Sequence, residues 1–152
     1  MNEATEIIKN IRYATIASVD SQGLPWNTPV MAHFDEDLNM YWDSWVENQH
    51  SKNIEHSNKI FIVVYDSTKK PGTALRSGLY IQAEAHVLEE EPEVRKYFEL
   101  RSKTAPIKRG PEYFLNDYPR RVYKATPKKV WINDRKDLGD AWVDVREEVV
   151  LV

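Results

Sequence analysis

Ser51 and Lys52 set a hydroxyl donor beside a cation, and they stand where a strand ending near Asp43-Ser44 gives way, through a short loop, to a predicted helix over 51–58. The first turn of a helix leaves backbone N–H groups unpaired and carries a partial positive charge, so anions settle there. A lysine at that point adds a charge-assisted bond. Together these groups form a phosphate-binding corner that needs no glycine-rich loop. The same residues would also make an ordinary helix, capped at or near Ser51, with a solvated lysine.

Other chemistries find less support. The histidines, His33, His50, His56 and His86, include no pair four apart on a helix and no H-E-x-x-H, so no metal centre is expected. His50 and His56 fall at opposite ends of the short helix. The chain has no cysteine, which removes thiol nucleophiles, cysteine zinc sites and disulfides. Its five glycines form neither G-x-G-x-x-G nor a P-loop, and no G-x-S-x-G elbow presents a serine. Glu89-Glu90-Glu91 precedes a helix, where carboxylates complement the dipole, and reads as structural.

The elements that position these groups follow from period and punctuation. Ala4, Ile7, Ile8 and Ile11 recur at helical spacing, with Asn2 available as a cap. Alternation over 13–19, a turn at 20–23, a strand over 24–34 interrupted by Pro25 and Pro29, an acidic turn at 35–37 and a strand over 40–44 make an antiparallel meander. The two prolines cannot donate to a ladder and belong at an edge or bulge. Residues 59–65 form the most β-prone segment and 79–88 a long strand. A helix opens at Glu91-Pro92, with proline in its first turn. Residues 106–119 are irregular, with room for one helical turn from Pro111. Strands at 121–125 and 130–132 flank a turn at 126–129, and 134–152 is left unassigned.

The expected fold is mainly β (β-rich α+β): a six- to seven-stranded antiparallel barrel with two to three short helices in a single domain, 1–152. Trp42 alternates with Met40 and belongs to the core, whereas Trp26 and Trp45 suit ring stacking or a pocket wall as well as barrel core or dimer interface. The charge is −3, with 21 Lys and Arg against 24 Asp and Glu, which lacks the basic surplus of a nucleic-acid binder. The basic pairs Lys69-Lys70, Arg120-Arg121 and Lys128-Lys129 read as solvated faces. No apolar run approaches the ~20 residues of a membrane helix, and no leader follows Met1-Asn2-Glu3, so a soluble cytoplasmic protein is expected.

The ordered series Tyr13-Ala14-Thr15-Ile16-Ala17-Ser18-Val19-Asp20, Gly23, Pro25, the acidic turn, Met40-Tyr41-Trp42, Ser51-Lys52-Asn53-Ile54, 60–65, 79–88 and Val122-Tyr123, Pro127, Val130-Trp131 resembles the pyridoxamine 5′-phosphate oxidase-like family. It spans about residues 7–133. The resemblance implies an FMN-binding split barrel, a homodimer with cofactor at the subunit interface. It implies that Lys52 holds the flavin phosphate, helped by Ser51 and Ser44, and that Asn27, Thr28, Pro29 and Val30 run beside the isoalloxazine ring. Gln82 and Trp131 would lie near the interface, reaching the flavin of the partner subunit.

The sequence departs from the true oxidase. Asn27 and Ala32 stand where that enzyme has arginine and lysine, and Ile132-Asn133-Asp134-Arg135 carries no counterpart of its histidine-containing substrate motif. The implied function is therefore an FMN-dependent oxidoreductase acting on some other small molecule. The alternatives are a non-catalytic flavin-binding or stress-related protein, or a deazaflavin- or haem-binding member of the fold. Asp43 stands where relatives place a neutral hydroxyl, and its carboxylate must face away or pair with a lysine if a phosphate is to bind nearby.

Overall fold

A computed structural model describes residues 3–9 and 11–150. Among these, the strands are β1 (Tyr13–Val19), β2 (Pro25–Met31), β3 (His33–Phe34), β4 (Met40–Trp45), β5 (Lys59–Tyr65), β6 (Gly78–Val87), β7 (Arg120–Asp137) and β8 (Trp142–Val149). The helices are α1 (Glu3–Ile8), α2 (Gln49–His56) and α3 (Glu91–Ser102), with a 3₁₀ turn at Pro111–Phe114. All strands share one antiparallel sheet in the order β2-β1-β5-β6-β7-β4-β3, with β8 alongside β7. The expected mainly β split barrel with short helices is what forms. The expected Asn2 cap lies outside the described residues.

The two ends of that order are one stretch of chain. β2 and β3 are separated only by Ala32, whose N–H bonds to the Arg12 carbonyl at 2.9 Å, on the β1 side. Two residues on, His33 and Phe34 pair with Tyr41 and Met40 of β4, and Asp35 N–H bonds to the Asn39 carbonyl at 3.1 Å. Even-numbered residues of this stretch thus turn their N–H toward β1 and odd-numbered ones toward β4. The strand closes the barrel by changing partners at Ala32. Before that point β2 pairs only with β1, and beyond Tyr41 β4 pairs only with β7, so the two edges diverge into a split. Pro25 and Pro29 are odd-numbered, so their missing N–H groups fall on the open side and cost the ladder nothing.

Inside the barrel, Ile16, Met40, Trp42, Ile62, Val64, Leu79, Ile81, Val130 and Ile132 form the main core. The Trp42 indole stacks on Tyr123 with ring centroids 5.4 Å apart. A second cluster forms outside, where α3 and the 3₁₀ turn set Val94, Tyr97, Phe114 and Leu115 against Tyr41, Leu88 and Val122.

Three local expectations need correction. Helix α2 begins at Gln49, with Asn48 as N-cap, two residues before the expected start, so Ser51 lies inside its first turn. Residues 126–129 do not turn the chain: β7 runs unbroken through them, and Pro127 is absorbed by a register shift opposite Gln82–Ala83. A bulge tolerates the missing donor. Finally, Arg120 and Arg121 are not a solvated pair but are only partly exposed and bonded to other groups, Arg120 to Asp43 and Arg121 to backbone carbonyls. The unassigned C-terminal stretch supplies β8, which turns back along β7 after Gly139 at φ +80°.

Arg76 ties both ends of the chain to the barrel. Its guanidinium bonds Glu3 of α1, Asp134 of β7 at 2.7 Å and Glu147 of β8 at 2.6 Å. Partly exposed ion pairs contribute modestly, so Arg76→Ala should lower the thermal midpoint by only about 2–4 °C. Amide exchange should nevertheless quicken in α1 and β8 while β5 and β6 stay protected; uniform acceleration across all strands would contradict this tie.

Candidate functional site

Ser44 projects inward from β4, in register with Arg121 on β7. Its hydroxyl lies 2.7 Å from His50 Nε2 and accepts a bond from Asn48 Nδ2 at 3.0 Å. Both are satisfied when the imidazole is neutral and Ser44 donates to an unprotonated Nε2. Burial favours that state by holding the His50 pKa below its ordinary value of 6.5. The Asn48 side chain, being spent on Ser44, does not cap α2; its carbonyl accepts from the N–H groups of Ser51 and Lys52. The helix is anchored on its other side by Asn53, which donates to Ser18 Oγ of β1 at 3.0 Å.

Beneath α2 runs a cleft of about 530 Å³, bounded by the ends of β6 and β7 and lined by Glu47, Ser51, Lys52, Asn58, Arg121 and Tyr123 with Ile54 and Val87. Ser51 is 4% exposed, and its hydroxyl has no hydrogen-bond partner among the described residues. It lies close enough to the Tyr123 phenol to interact with it as a hydrogen-bonding group, though without a bond of full geometry. Burial raises the Tyr123 pKa, while Ser51 and the Arg121 charge oppose that rise. Arg121 is held by three backbone carbonyls: Nε to Phe114 at 3.0 Å, Nη1 to Asn116 at 2.9 Å and Nη2 to Leu88 at 3.0 Å. None of these bonds goes to a carboxylate, so the positive charge is fixed in place without being neutralised. Lys52 lies on the rim, bonded to Glu47 at 2.9 Å, and this bond lowers the Glu47 pKa.

Asp43, one residue before Ser44, points the other way. It is buried outside the barrel wall, where Tyr97 and Arg101 of α3 and Arg120 of β7 bond its two oxygens. Strand alternation thus removes the carboxylate from the cleft and turns it into the tie between α3 and the sheet. The neighbouring charge and burial raise the Tyr97 pKa, keeping the phenol protonated as a donor.

The other residues singled out in the sequence divide between the two faces of the sheet. Register aligns Asn27, Ala17, Phe61 and Gln82 in one row and Pro29, Thr15, Val63, Tyr80 and Trp131 in the next, all on the outer face. Thr28 and Val30 point inward; Thr28 accepts a bond from Trp26 Nε1 at 2.7 Å, and Val30 is core. Asn27 and Gln82 stand three strand spacings apart, about 14 Å. Ser44, Ser51 and Lys52 gather around α2, while Asn27, Pro29, Gln82 and Trp131 lie across the outer face.

Sequence reasoning missed His50, Arg121 and Tyr123. Position alone carried no signal, because Arg121 faces Ser44 only through the β4–β7 register. Among the described residues no cluster of His, Asp and Glu suited to a metal ion occurs. No described helix is long and apolar enough to cross a membrane.

Comparison with known proteins adds the following. The model of the family "Pyridoxamine 5′-phosphate oxidase" matches residues 1–134. No match is found among curated protein sequences. Among solved structures, the heme binding protein of Mycobacterium smegmatis is 14% identical, with a TM-score of 0.69 over 95% of this chain and 56% of its own. General Stress Protein 26 of Bacillus anthracis is 17% identical, with a TM-score of 0.62 over 86% and 90% of the two chains. An F420 reductase is 16% identical, with a TM-score of 0.60 over 83% and 94%. At these identities the likeness is one of fold.

The buried histidine makes the mouth sensitive to acid. A histidine whose folded pKa lies below 6.5 binds its proton more readily when unfolded, so its contribution is whole well above that pH and is lost as pH falls through it. The urea midpoint should therefore fall between pH 7.5 and 5.5, and His50→Gln should lessen that dependence, leaving the share of His33, whose pKa burial also lowers. An unchanged slope in the variant would mean that His50 is not held neutral.

Proposed function

Because the chain belongs to the pyridoxamine 5′-phosphate oxidase family, we propose that it is an FMN-binding flavoprotein, an oxidoreductase for a small molecule other than pyridoxine phosphate. The observation that carries this reading is the set of donors lining one cleft beneath α2: the Ser51 hydroxyl, Lys52 on the rim, and Arg121 with two N–H groups left over. Those groups fit the phosphate end of the cofactor, with Lys52 and Ser51 as direct holders and Ser44 bracing the first turn through His50. Asn27, Thr28, Pro29 and Val30 would border the ring, where odd-numbered N–H groups of β2 point to the open edge. When bound, the flavin supplies two-electron transfer, and the protein supplies orientation and electrostatics. No side chain is assigned as acid or base.

The same reading makes the protein a homodimer. The outer face carries Tyr13, Val19, Met31 and Tyr65, each more than a third exposed, beside Phe61 and Trp131, whose rings stack 6.4 Å apart between centroids. Such a surface calls for a cover. With Asn27 and Gln82 too far apart to flank one ring, Gln82 and Trp131 would serve the cofactor held mainly by the partner. A deazaflavin or haem is the second reading, favoured by the likeness to an F420 reductase and a heme binding protein. A non-catalytic, stress-related flavin protein would use the same site without turnover.

Titration with FMN should quench flavin fluorescence saturably at about one flavin per chain. Losing a charge-assisted phosphate contact should weaken binding about tenfold in Lys52→Ala. Unchanged affinity in that variant would remove Lys52 from the site.

A further inference from the structure

We propose that Arg121 is the fixed counter-charge that recognises a phosphate monoester in the cleft beneath α2, and that Glu47 is a competing anion which the phosphate displaces from Lys52. This rests on the reading that the cleft takes the phosphate of a cofactor, and adds to it the residue that selects for charge and the contact that regulates entry.

A guanidinium has five N–H donors in a planar fork. In Arg121 three of them are spent, one on each nitrogen, on the carbonyls of Leu88, Phe114 and Asn116. Two therefore remain. The carbonyls come from two separate segments, Leu88 and the 114–116 stretch, so the side chain is pinned and little conformational freedom is lost when it takes a ligand. It is also uncompensated, since no carboxylate is among its partners. An arginine held this way suits an oxyanion bearing at least two acceptor oxygens.

The Ser51 hydroxyl is a second, independent indication. A buried hydroxyl without a partner costs stability, and such groups are rare in native structures. Here it lines the same cleft as Arg121, beside the Tyr123 phenol. A phosphate oxygen accepting from Ser51 would complete it.

Lys52 differs from Arg121 in being on the rim and already paired. Its partner Glu47 is 79% exposed in its side chain, so the contact is weak and open to exchange. A phosphate carries more charge than a carboxylate and would win Lys52 once Arg121 has fixed it. Glu55 also lines the cleft and opposes an anion. The fixed interior cation therefore decides binding, and the rim charges adjust its strength.

The test is titration with FMN, riboflavin and inorganic pyrophosphate, using the whole chain and its Arg121→Gln, Ser51→Ala and Glu47→Gln variants. Arg121→Gln should weaken FMN about tenfold while leaving riboflavin, which lacks the phosphate, unchanged. Ser51→Ala should leave the thermal midpoint no lower, because the buried hydroxyl has no hydrogen bond of full geometry to lose, yet weaken FMN several-fold. Glu47→Gln frees Lys52 and should tighten FMN a few-fold. Wild-type FMN affinity in Arg121→Gln, with folding intact, would overturn the proposal while leaving the flavin reading in place. Should wild type bind no flavin, stabilisation by pyrophosphate that is lost in Ser51→Ala and enhanced in Glu47→Gln would support the phosphate site alone. Absence of both flavin binding and pyrophosphate stabilisation overturns it.

Discussion

The fold turns on one strand changing partners. Residues 25–34 hydrogen-bond to β1 up to Ala32 and to β4 after it, and this exchange both closes the barrel and leaves β2 and β4 with open edges. An ordinary closed barrel has no such edges. The prolines at 25 and 29 follow from the same geometry, because only the open side of β2 can spare their N–H groups. The consequence is backbone that remains unpaired beside a helix which crosses the barrel mouth.

Charge is handled by strict alternation along β4. Met40, Trp42 and Ser44 face inward, while Tyr41 and Asp43 face α3. Asp43 is therefore neutralised by Arg101 and Arg120 outside the wall, one residue from a mouth that holds a neutral histidine and an unneutralised arginine. A slip of one residue in the β4–β7 register would put the carboxylate in the mouth and Ser44 outside. The arrangement gives a site biased toward anions in a protein whose net charge is −3.

Much of the fold was legible because its signals are local. Alternation in 13–19 and the β-prone composition of 59–65 placed β1 and β5 at their observed bounds, and Pro92 placed the start of α3. The 126–129 segment misled because Thr-Pro-Lys-Lys has turn chemistry by itself, whereas the flanking β6 strand holds it extended through a bulge. The start of α2 misled for a related reason: Asn48 and Ser51 cap equally well, and only the path of the chain after β4 starts the helix at the earlier one. The site was half legible. Ser51 and Lys52 are neighbours in sequence and could be read together. Arg121 and Tyr123 join them only through long-range pairing, which composition and spacing do not encode. Asp43 could be flagged as a difficulty, but its arginine partners lie 58 and 77 residues away.

The most direct measurement is the visible spectrum of the protein purified without added cofactor, recorded before and after denaturation and followed by mass analysis of any chromophore released. The account predicts a yellow protein that releases FMN at about one molecule per chain. A colourless protein that stays colourless after mixing with FMN and desalting would contradict it.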